Sequence, residues 1–141
     1  MDIKTISDRM EIADLISRYN VAADVDDFDT WVACFVEDGV FNGAFSRYRV
    51  RADLDTYKAD VARIATNWPN LRHYVTNIQT EIDGDSGRAH SFLLMTSVRP
   101  GDAVQNVMSG TYTDQLRRVN GEWRFVSRTV AVDGVKKEGK L

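Results

Sequence analysis

Two side chains near the N-terminus, Tyr19 and Asp24, are the first whose types and spacing could do chemistry. Asp24 lies at or just past the predicted C-terminal end of the first helix, where exposed backbone carbonyls disfavour a negative charge. The neighbouring Asp26, Asp27 and Asp29 lie at the start of a second helical pattern and are well explained as cap and first-turn acids. Asp24 is therefore either solvated in the loop or held by a cationic group. Tyr19, five residues earlier, offers a phenol that can point into the same space.

A third candidate, His73, opens the first long strand. Side chains alternate between the two faces of a strand, so one face carries His73 together with the side-chain amides of Asn77 and Gln79. The opposite face carries apolar residues and threonines. The polar face is either directed to solvent or forms the floor of a polar pocket, and the spacing alone leaves both open. The other histidine, His90, has no partner that the sequence indicates, and we interpret it as structural.

Two amphipathic helices must position Asp24. In the first, apolar residues recur mostly at three- and four-residue steps, which predicts one buried stripe. Thr5 or Ser7 can cap its start. The second helix carries a stripe from Phe28 to Phe35, and Gly39 is its predicted C-cap.

The remainder of the chain is predicted to form a sheet, interrupted by one helix. A short strand from Val40 to Phe45 continues after a turn at Arg47 to Val50, and Asp53 caps the third helix. Long strands then follow at Arg72–Ile82, Arg88–Arg99, Val104–Val119 and Glu122–Val132. Such a pattern is typical of an α+β fold with three helices packed against a curved antiparallel or mixed sheet. We expect the sheet to bend at Gly110 and to form a cone that encloses a pocket.

Composition excludes several function classes. With 18 Lys and Arg against 21 Asp and Glu, the chain lacks the basic surface that nucleic acids require. The single Cys34 cannot form an intrachain disulfide or a thiolate zinc cluster, and two distant histidines define no metal site. No apolar run approaches the roughly 20 residues of a membrane span, and no signal-peptide pattern is visible. We therefore expect one domain over residues 1–141, in the cytoplasm, without a metal, membrane or nucleic-acid partner.

These same segments carry a family resemblance that covers roughly residues 6–130. The acidic run from Asp24 to Asp29, the segment LRHYVTNIQTEIDGDSGRAHSFLLM and the segment TYTDQLRRVNGEWRF resemble the SnoaL-like branch of the NTF2-like superfamily. Scytalone dehydratase, bile-acid dehydratase and hexachlorocyclohexane dehydrochlorinase belong to that superfamily. The resemblance implies a cone of helices against a curved sheet. It also implies a catalytic pair formed by Asp24 and His73, with Tyr19 matching an active-site tyrosine of the bile-acid dehydratase.

The chemistry of such a pair is cofactor-free proton abstraction. A carboxylate that is hydrogen-bonded to one imidazole nitrogen fixes the tautomer, so the other nitrogen can accept a proton. Tyr19 can then donate a hydrogen bond to a carbonyl, an enolate or a leaving hydroxyl. Further candidate substrate-binding residues are Trp31, Tyr48, Asn77 and Arg128. For Arg128, the strand pattern is more typical of a surface charge on an edge strand.

We therefore expect a cofactor-independent lyase, a dehydratase first, that acts on a hydrophobic cyclic or polyketide-like small molecule. Cyclase or isomerase chemistry on the same pair is the nearest variant. The alternative from another class is a non-catalytic ligand-binding or oligomerisation module of the same fold. The outward Tyr, Thr and Ile side chains of the strands are suited to packing against a second copy, which predicts a homodimer or homotrimer.

Overall fold

The elements of the protein form a helical layer against one sheet. The computed structural model describes residues 1–135. Its helices are α1 (Ile3–Asp24), α2 (Phe28–Ala33) and α3 (Leu54–Asn67). Its strands are β1 (Phe35–Asn42), β2 (Arg47–Arg49), β3 (Arg72–Asp83), β4 (Ser86–Ser97), β5 (Gln105–Val119) and β6 (Glu122–Val132). Within this part of the chain, no helix is long and apolar enough to cross a membrane.

The six strands form one mixed sheet in the order β2-β1-β6-β5-β4-β3. Strands β1 and β6 pair in parallel, and the other neighbours pair antiparallel. Register shifts interrupt the β3–β4, β4–β5 and β5–β6 ladders, and such bulges bend a sheet and increase its twist. The predicted α+β class, with three helices against a curved sheet of the NTF2-like kind, is confirmed.

Gly110 has a different role from the predicted bend. It lies in register with Leu93 on one side and Val132 on the other, so no bulge occurs there. A Cβ atom at this position would collide with the carbonyl oxygen of Ala131. Gly110 therefore allows the backbones of β5 and β6 to approach closely, and the bends lie elsewhere. One lies between Thr76 and Gln79 of β3.

Helix α1 begins earlier than the capping residues suggested. Asp2 is its N-cap, and the Asp2 carboxylate accepts a hydrogen bond from the backbone N–H of Thr5 at 2.8 Å. The prediction that Thr5 or Ser7 caps the helix is therefore wrong, because an acid two residues into the chain already satisfies the free N–H groups. The helix buries the predicted stripe, with Ile12 and Leu15 almost fully covered. It ends at Asp24, where the sequence placed its end.

Helix α2 is shorter than its apolar stripe predicted. It ends at Ala33, and Phe35 already belongs to β1, where it pairs with Phe125 of β6. The backbone N–H of Phe125 also donates to the carbonyl of Cys34 at 2.8 Å. Parallel pairing with a distant strand therefore overrides the helical pattern. The prediction of Gly39 as a helix C-cap is wrong, since Gly39 lies within β1.

The core between helices and sheet is predominantly aromatic around Tyr19. This side chain is 2% exposed, and its ring lies 5.7 to 6.2 Å from five other aromatic rings. They belong to Trp31, Phe35, Phe41, Tyr112 and Phe125. Burial of large aromatic side chains contributes strongly to the stability of a core. The inner face of the sheet and the inner face of α1 are thereby fixed relative to each other.

Candidate active site

The end of α1 and the start of β3 bring Asp24 and His73 into contact. The Asp24 Oδ1 atom lies 2.5 Å from His73 Nδ1, and Asp24 Oδ2 accepts the backbone N–H of His73 at 3.0 Å. The Asp24 side chain is 9% exposed and the His73 side chain 18%. Both oxygens of a carboxylate at the unfavourable end of a helix thus receive a donor from the neighbouring strand.

This geometry selects one form of the imidazole. An ionised carboxylate can only accept, so the Nδ1 atom of His73 carries the proton that faces Asp24. In the neutral ring, the remaining nitrogen, Nε2, then has a free lone pair and can accept a proton. The second bond, from the backbone N–H of His73 to Asp24, also holds the carboxylate in place. Together the two contacts fix the tautomer of the neutral imidazole.

Tyr19 lies in the aromatic core and makes no hydrogen bond to Asp24 or His73 among the described residues. Burial raises the pKa of Tyr19 well above its ordinary value, with further contributions from Tyr112 and Tyr57, so the phenol keeps its proton. Five residues along a helix turn the side-chain direction by about 140°, which separates Tyr19 from the direction of Asp24. Its role as a hydrogen-bond donor stays a prediction.

Trp31 and Tyr48 lie on the side of the core that faces α3. The Trp31 indole stacks on the Tyr57 ring, with centroids 4.0 Å apart and planes 8° from parallel. The Tyr48 hydroxyl donates to Asp60 Oδ2 at 2.6 Å. Burial raises the pKa of Tyr48, and the hydrogen bond to Asp60 contributes. Both side chains thus have partners inside the protein, and their binding of a substrate stays a prediction.

Asn77 and Arg128 lie in quite different environments. Asn77 is exposed, at the β3 bulge, with a φ of 57°. That bulge breaks the alternation that placed Asn77 on the same face as His73. Arg128 is fully buried on β6, between β1 and β5. The interpretation of Arg128 as a surface charge on an edge strand is wrong, because the parallel pairing of β1 makes β6 an inner strand.

Three buried polar residues were not identified from the sequence. The Asn20 side-chain amide donates to the Ile16 carbonyl at 2.8 Å, and the Tyr112 hydroxyl donates to Asn20 Oδ1 at 3.1 Å. Asp114 is paired with Arg128 across the β5–β6 ladder, and burial raises the pKa of Asp114 to about 6 against the opposing effect of Arg128. The sequence signal for Asp114 was the alternation of side chains between the two faces of β5, counted back from the Asn120-Gly121 turn.

Two surface concavities lie away from these residues. One groove of about 660 Å³ is lined by residues around the β3–β4 hairpin and β5, and another of about 360 Å³ lies beside α1 and α2. Neither is lined by Asp24 or His73, so we base the site on the hydrogen-bonded pair and not on the size of a groove. Within residues 1–135, no three His, Cys, Asp or Glu side chains come together in a way that could hold a metal ion.

The fold defines an NTF2-like α+β protein. The chain matches the SnoaL-like domain over residues 4–129, and it belongs to that family. An uncharacterized protein of Mycobacterium tuberculosis is 28% identical over 133 residues, which span 91% of this chain and 87% of the relative.

Solved structures agree with this assignment. ActVI-ORFA of Streptomyces coelicolor superimposes with a TM-score of 0.82 and 25% identity, over 94% of this chain and 99% of that one. A protein of Novosphingobium aromaticivorans that is named as a candidate scytalone dehydratase has a TM-score of 0.76 and 21% identity, over 94% of this chain and 88% of that one. The latter shows the fold alone.

Proposed function

We propose that the protein is a cofactor-independent lyase, a dehydratase first, which uses the Asp24–His73 pair as its base. The observation that carries this proposal is the pair itself: a buried carboxylate 2.5 Å from Nδ1 of a histidine that keeps 18% of its side chain exposed. A candidate scytalone dehydratase shares the fold, which by itself assigns no reaction. Its substrate is a hydrophobic cyclic or polyketide-like compound with a carbonyl group.

The proposed reaction is the loss of water from a β-hydroxy ketone. His73 Nε2 removes a proton from the carbon next to the carbonyl, and the electron pair of that C–H bond moves to the carbonyl oxygen as an enolate. The enolate then re-forms the carbonyl, a C=C bond forms, and the C–O bond to the β-hydroxyl breaks. The leaving hydroxyl takes the proton from the His73 imidazolium and departs as water. Asp24 stabilises the imidazolium between the two steps.

Cyclase or isomerase chemistry follows the same first step. An enolate can be reprotonated at another carbon, or its carbon can attack a second carbonyl, without any change in the role of the base. Tyr19, with its proton retained by burial, is the proposed donor to the enolate oxygen. Trp31, Tyr48, Asn77 and Arg128 are proposed contacts to the substrate, and of these Arg128 lies deepest in the fold.

Proton abstraction can be tested without the natural substrate. Wild-type protein is incubated in D₂O with α-tetralone and with 3-hydroxy-1-tetralone, and deuterium uptake and loss of water are followed by NMR. We expect exchange well above the buffer rate that is lost in His73→Ala. His90→Ala is the matched control, since His90 is exposed on β4 and outside the pair. Equal rates for wild type and His73→Ala on both ketones contradict the proposal.

A non-catalytic role is favoured by one specific observation. Asp24 Oδ2 binds the backbone N–H of His73, and this bond ties the end of α1 to the start of β3 whatever the imidazole does. In that case the pair is a structural connection in a ligand-binding or oligomerising module. The exchange experiment separates the two functions, since a structural pair gives no difference in proton abstraction between wild type and His73→Ala.

Assembly and location form a further part of the proposal. Apolar side chains lie on the outer face of β3 and β4, including Tyr74 at 51%, Phe92 at 49% and Leu94 at 40% exposure. Tyr74 is directly opposite Leu94 in the ladder, so these side chains form one patch. We propose that this patch packs against a second copy in a homodimer or homotrimer, and that the protein works in the cytoplasm, where its unpaired Cys34 stays reduced.

A further inference from the structure

Asp114 and Arg128 form a buried ion pair whose hydrogen-bonding capacity is largely unused. Both residues are 0% exposed, they face each other across β5 and β6, and Arg128 Nε lies 3.2 Å from Asp114 Oδ1. The proximity gives charge compensation, but the angles do not meet those of a hydrogen bond. All three guanidinium nitrogens and both carboxylate oxygens lack a hydrogen-bond partner among the described residues.

The aromatic surroundings of Arg128 cover its faces and leave its edges free. The guanidinium carbon lies 3.5 Å from the Tyr112 ring centroid, 4.3 Å from that of Tyr19 and 4.8 Å from that of Phe125. Such stacking satisfies the positive charge in part, yet the N–H groups lie in the guanidinium plane and point past the rings. The Trp31 indole N–H, in the same core, is also buried and unpartnered. Because buried polar groups are nearly always hydrogen-bonded, this surplus of donors requires acceptor oxygens.

Charge balance decides which kind of acceptor fits. Asp114 already provides a counter-charge at 3.2 Å, so a second carboxylate beside Arg128 would leave one buried negative charge unpaired. A neutral carbonyl oxygen accepts from the free guanidinium N–H groups without adding charge. A ketone or quinone oxygen therefore fits this centre better than an acid does.

Contacts connect this centre to the face of α1 that carries Asp24. Tyr112 stacks on Arg128 and donates through its hydroxyl to Asn20. Asn20 precedes Asp24 by four residues, which places it on the same face of α1, one turn or about 5.4 Å away. An elongated, ring-containing ligand that lies along this face would meet His73 at one end and Arg128 at the other. Among these residues, His73 keeps the largest exposed fraction, 18% of its side chain.

We propose that Arg128, with Asp114 as its counter-charge, binds a carbonyl oxygen of an apolar, ring-containing ligand at the end remote from His73. The inference deepens the proposed function, because it assigns the substrate a second oxygen function distant from the reacting carbon. Binding at Arg128 does not itself depend on turnover. A positive result would hold even if His73 abstracted no proton.

The test compares two probes of equal shape, α-tetralone and tetralin, which differ by the carbonyl oxygen. Tryptophan fluorescence reports their affinities for the full chain. We expect wild-type protein to bind α-tetralone about tenfold more tightly, as one hydrogen bond from a charged donor provides. In the double variant Asp114→Asn/Arg128→Gln, which removes both charges at similar volume, this preference should fall below about threefold. Arg124→Gln, on the same strand but partly exposed and paired with Glu122, is the matched control and should keep the preference.

A measurement on the wild-type protein covers the case in which the double variant does not fold. With α-tetralone labelled with ¹³C at the carbonyl, a hydrogen bond to the guanidinium moves the carbonyl resonance downfield, and the ring protons of Tyr112 should show NOEs to the ligand. Equal affinities for both probes in wild-type protein, or a preference that survives in the double variant, would overturn the proposal. Tighter, Arg128-dependent binding of 1-naphthoate than of α-tetralone would also overturn it, in favour of an anion site.

Discussion

The substitution Asp24→Asn separates the two roles of the Asp24 carboxylate. It preserves the shape of the side chain and removes its charge. In the native protein, one oxygen meets His73 Nδ1 at 2.5 Å and the other meets the backbone N–H of His73 at 3.0 Å. The backbone group is always a donor, so the single oxygen of the asparagine must face it. The asparagine NH₂ group then faces Nδ1, which has to become an acceptor.

The size of the effect follows from that reversal. With Nδ1 as acceptor, the neutral ring carries its proton on Nε2, and the nitrogen that should remove the substrate proton has none of its basicity left. In a serine protease the equivalent exchange lowers kcat by about 10⁴, and we expect a loss of the order of 10³ to 10⁴ in proton exchange here. The fold should lose only about 1 to 2 kcal/mol, since a charge-assisted hydrogen bond is replaced by an ordinary one.

Two measurements check these expectations. Deuterium exchange into α-tetralone gives the rate, and ¹⁵N-edited NMR of the imidazole shows which nitrogen carries the proton. Asp14→Asn is the control on the same helix, because Asp14 is exposed and forms an ion pair with Arg18, one turn along the helix. Exchange at the wild-type rate in Asp24→Asn, or a proton that stays on Nδ1 of His73 in the variant, contradicts these expectations.

Three further predictions concern stability, the thiol and assembly. Burial raises the folded-state pKa of Asp114 from 3.8 to about 6, so its contribution to stability is fully present below pH 3.8 and is lost as pH rises towards 6. Urea titrations give the unfolding free energies of wild type and of Asp114→Asn at each pH. The difference, wild type minus variant, should fall by up to about 3 kcal/mol between pH 3.8 and pH 6. A difference that does not change with pH contradicts this prediction. Burial raises the pKa of Cys34 to about 11, so iodoacetamide at pH 8 should label the native protein far more slowly than the protein in urea. Light scattering should give two or three times the 16.0 kDa of one chain, and Phe92→Glu should lower that mass; a wild-type monomer at micromolar concentration rejects the assembly.

The sequence was sufficient where structure is local. The stripe of α1, the hairpin at Asn120-Gly121 and the strand that begins at Arg72 all follow from spacing within a dozen residues. It was insufficient where a partner lies far along the chain. Residues 35–39 have a helical pattern, yet they enter β1 because β6, about 90 residues later, offers a parallel partner.

The environment of Arg128 could not be predicted for the same reason, since it depends on a strand that lies far away in the sequence. As the seventh residue of the last strand it has the position of an edge charge, and only the pairing of β1 with β6 makes it internal. Once β6 is internal, an inward arginine needs a counter-charge, and the β5–β6 ladder provides Asp114 directly opposite. The Asn120-Gly121 turn predicts the register of the β5–β6 hairpin back to Leu116. The bulge between Leu116 and Gln115 then shifts the partner of Asp114 by one residue.

Helix geometry places Asn20, and not Tyr19, on the same face of α1 as Asp24. At about 100° per residue, position 20 precedes Asp24 by about 400°, within roughly 40° of the same direction, while position 19 points about 140° away. Both side chains are buried, so burial cannot discriminate between them. Both also connect to Arg128, Asn20 through the Tyr112 hydroxyl and Tyr19 through its own ring, whose centroid lies 4.3 Å from the guanidinium carbon. If the Asp24–His73 pair acts as a base, its substrate must therefore extend beyond the face of α1 that holds Asn20 to accept a hydrogen bond from Tyr19.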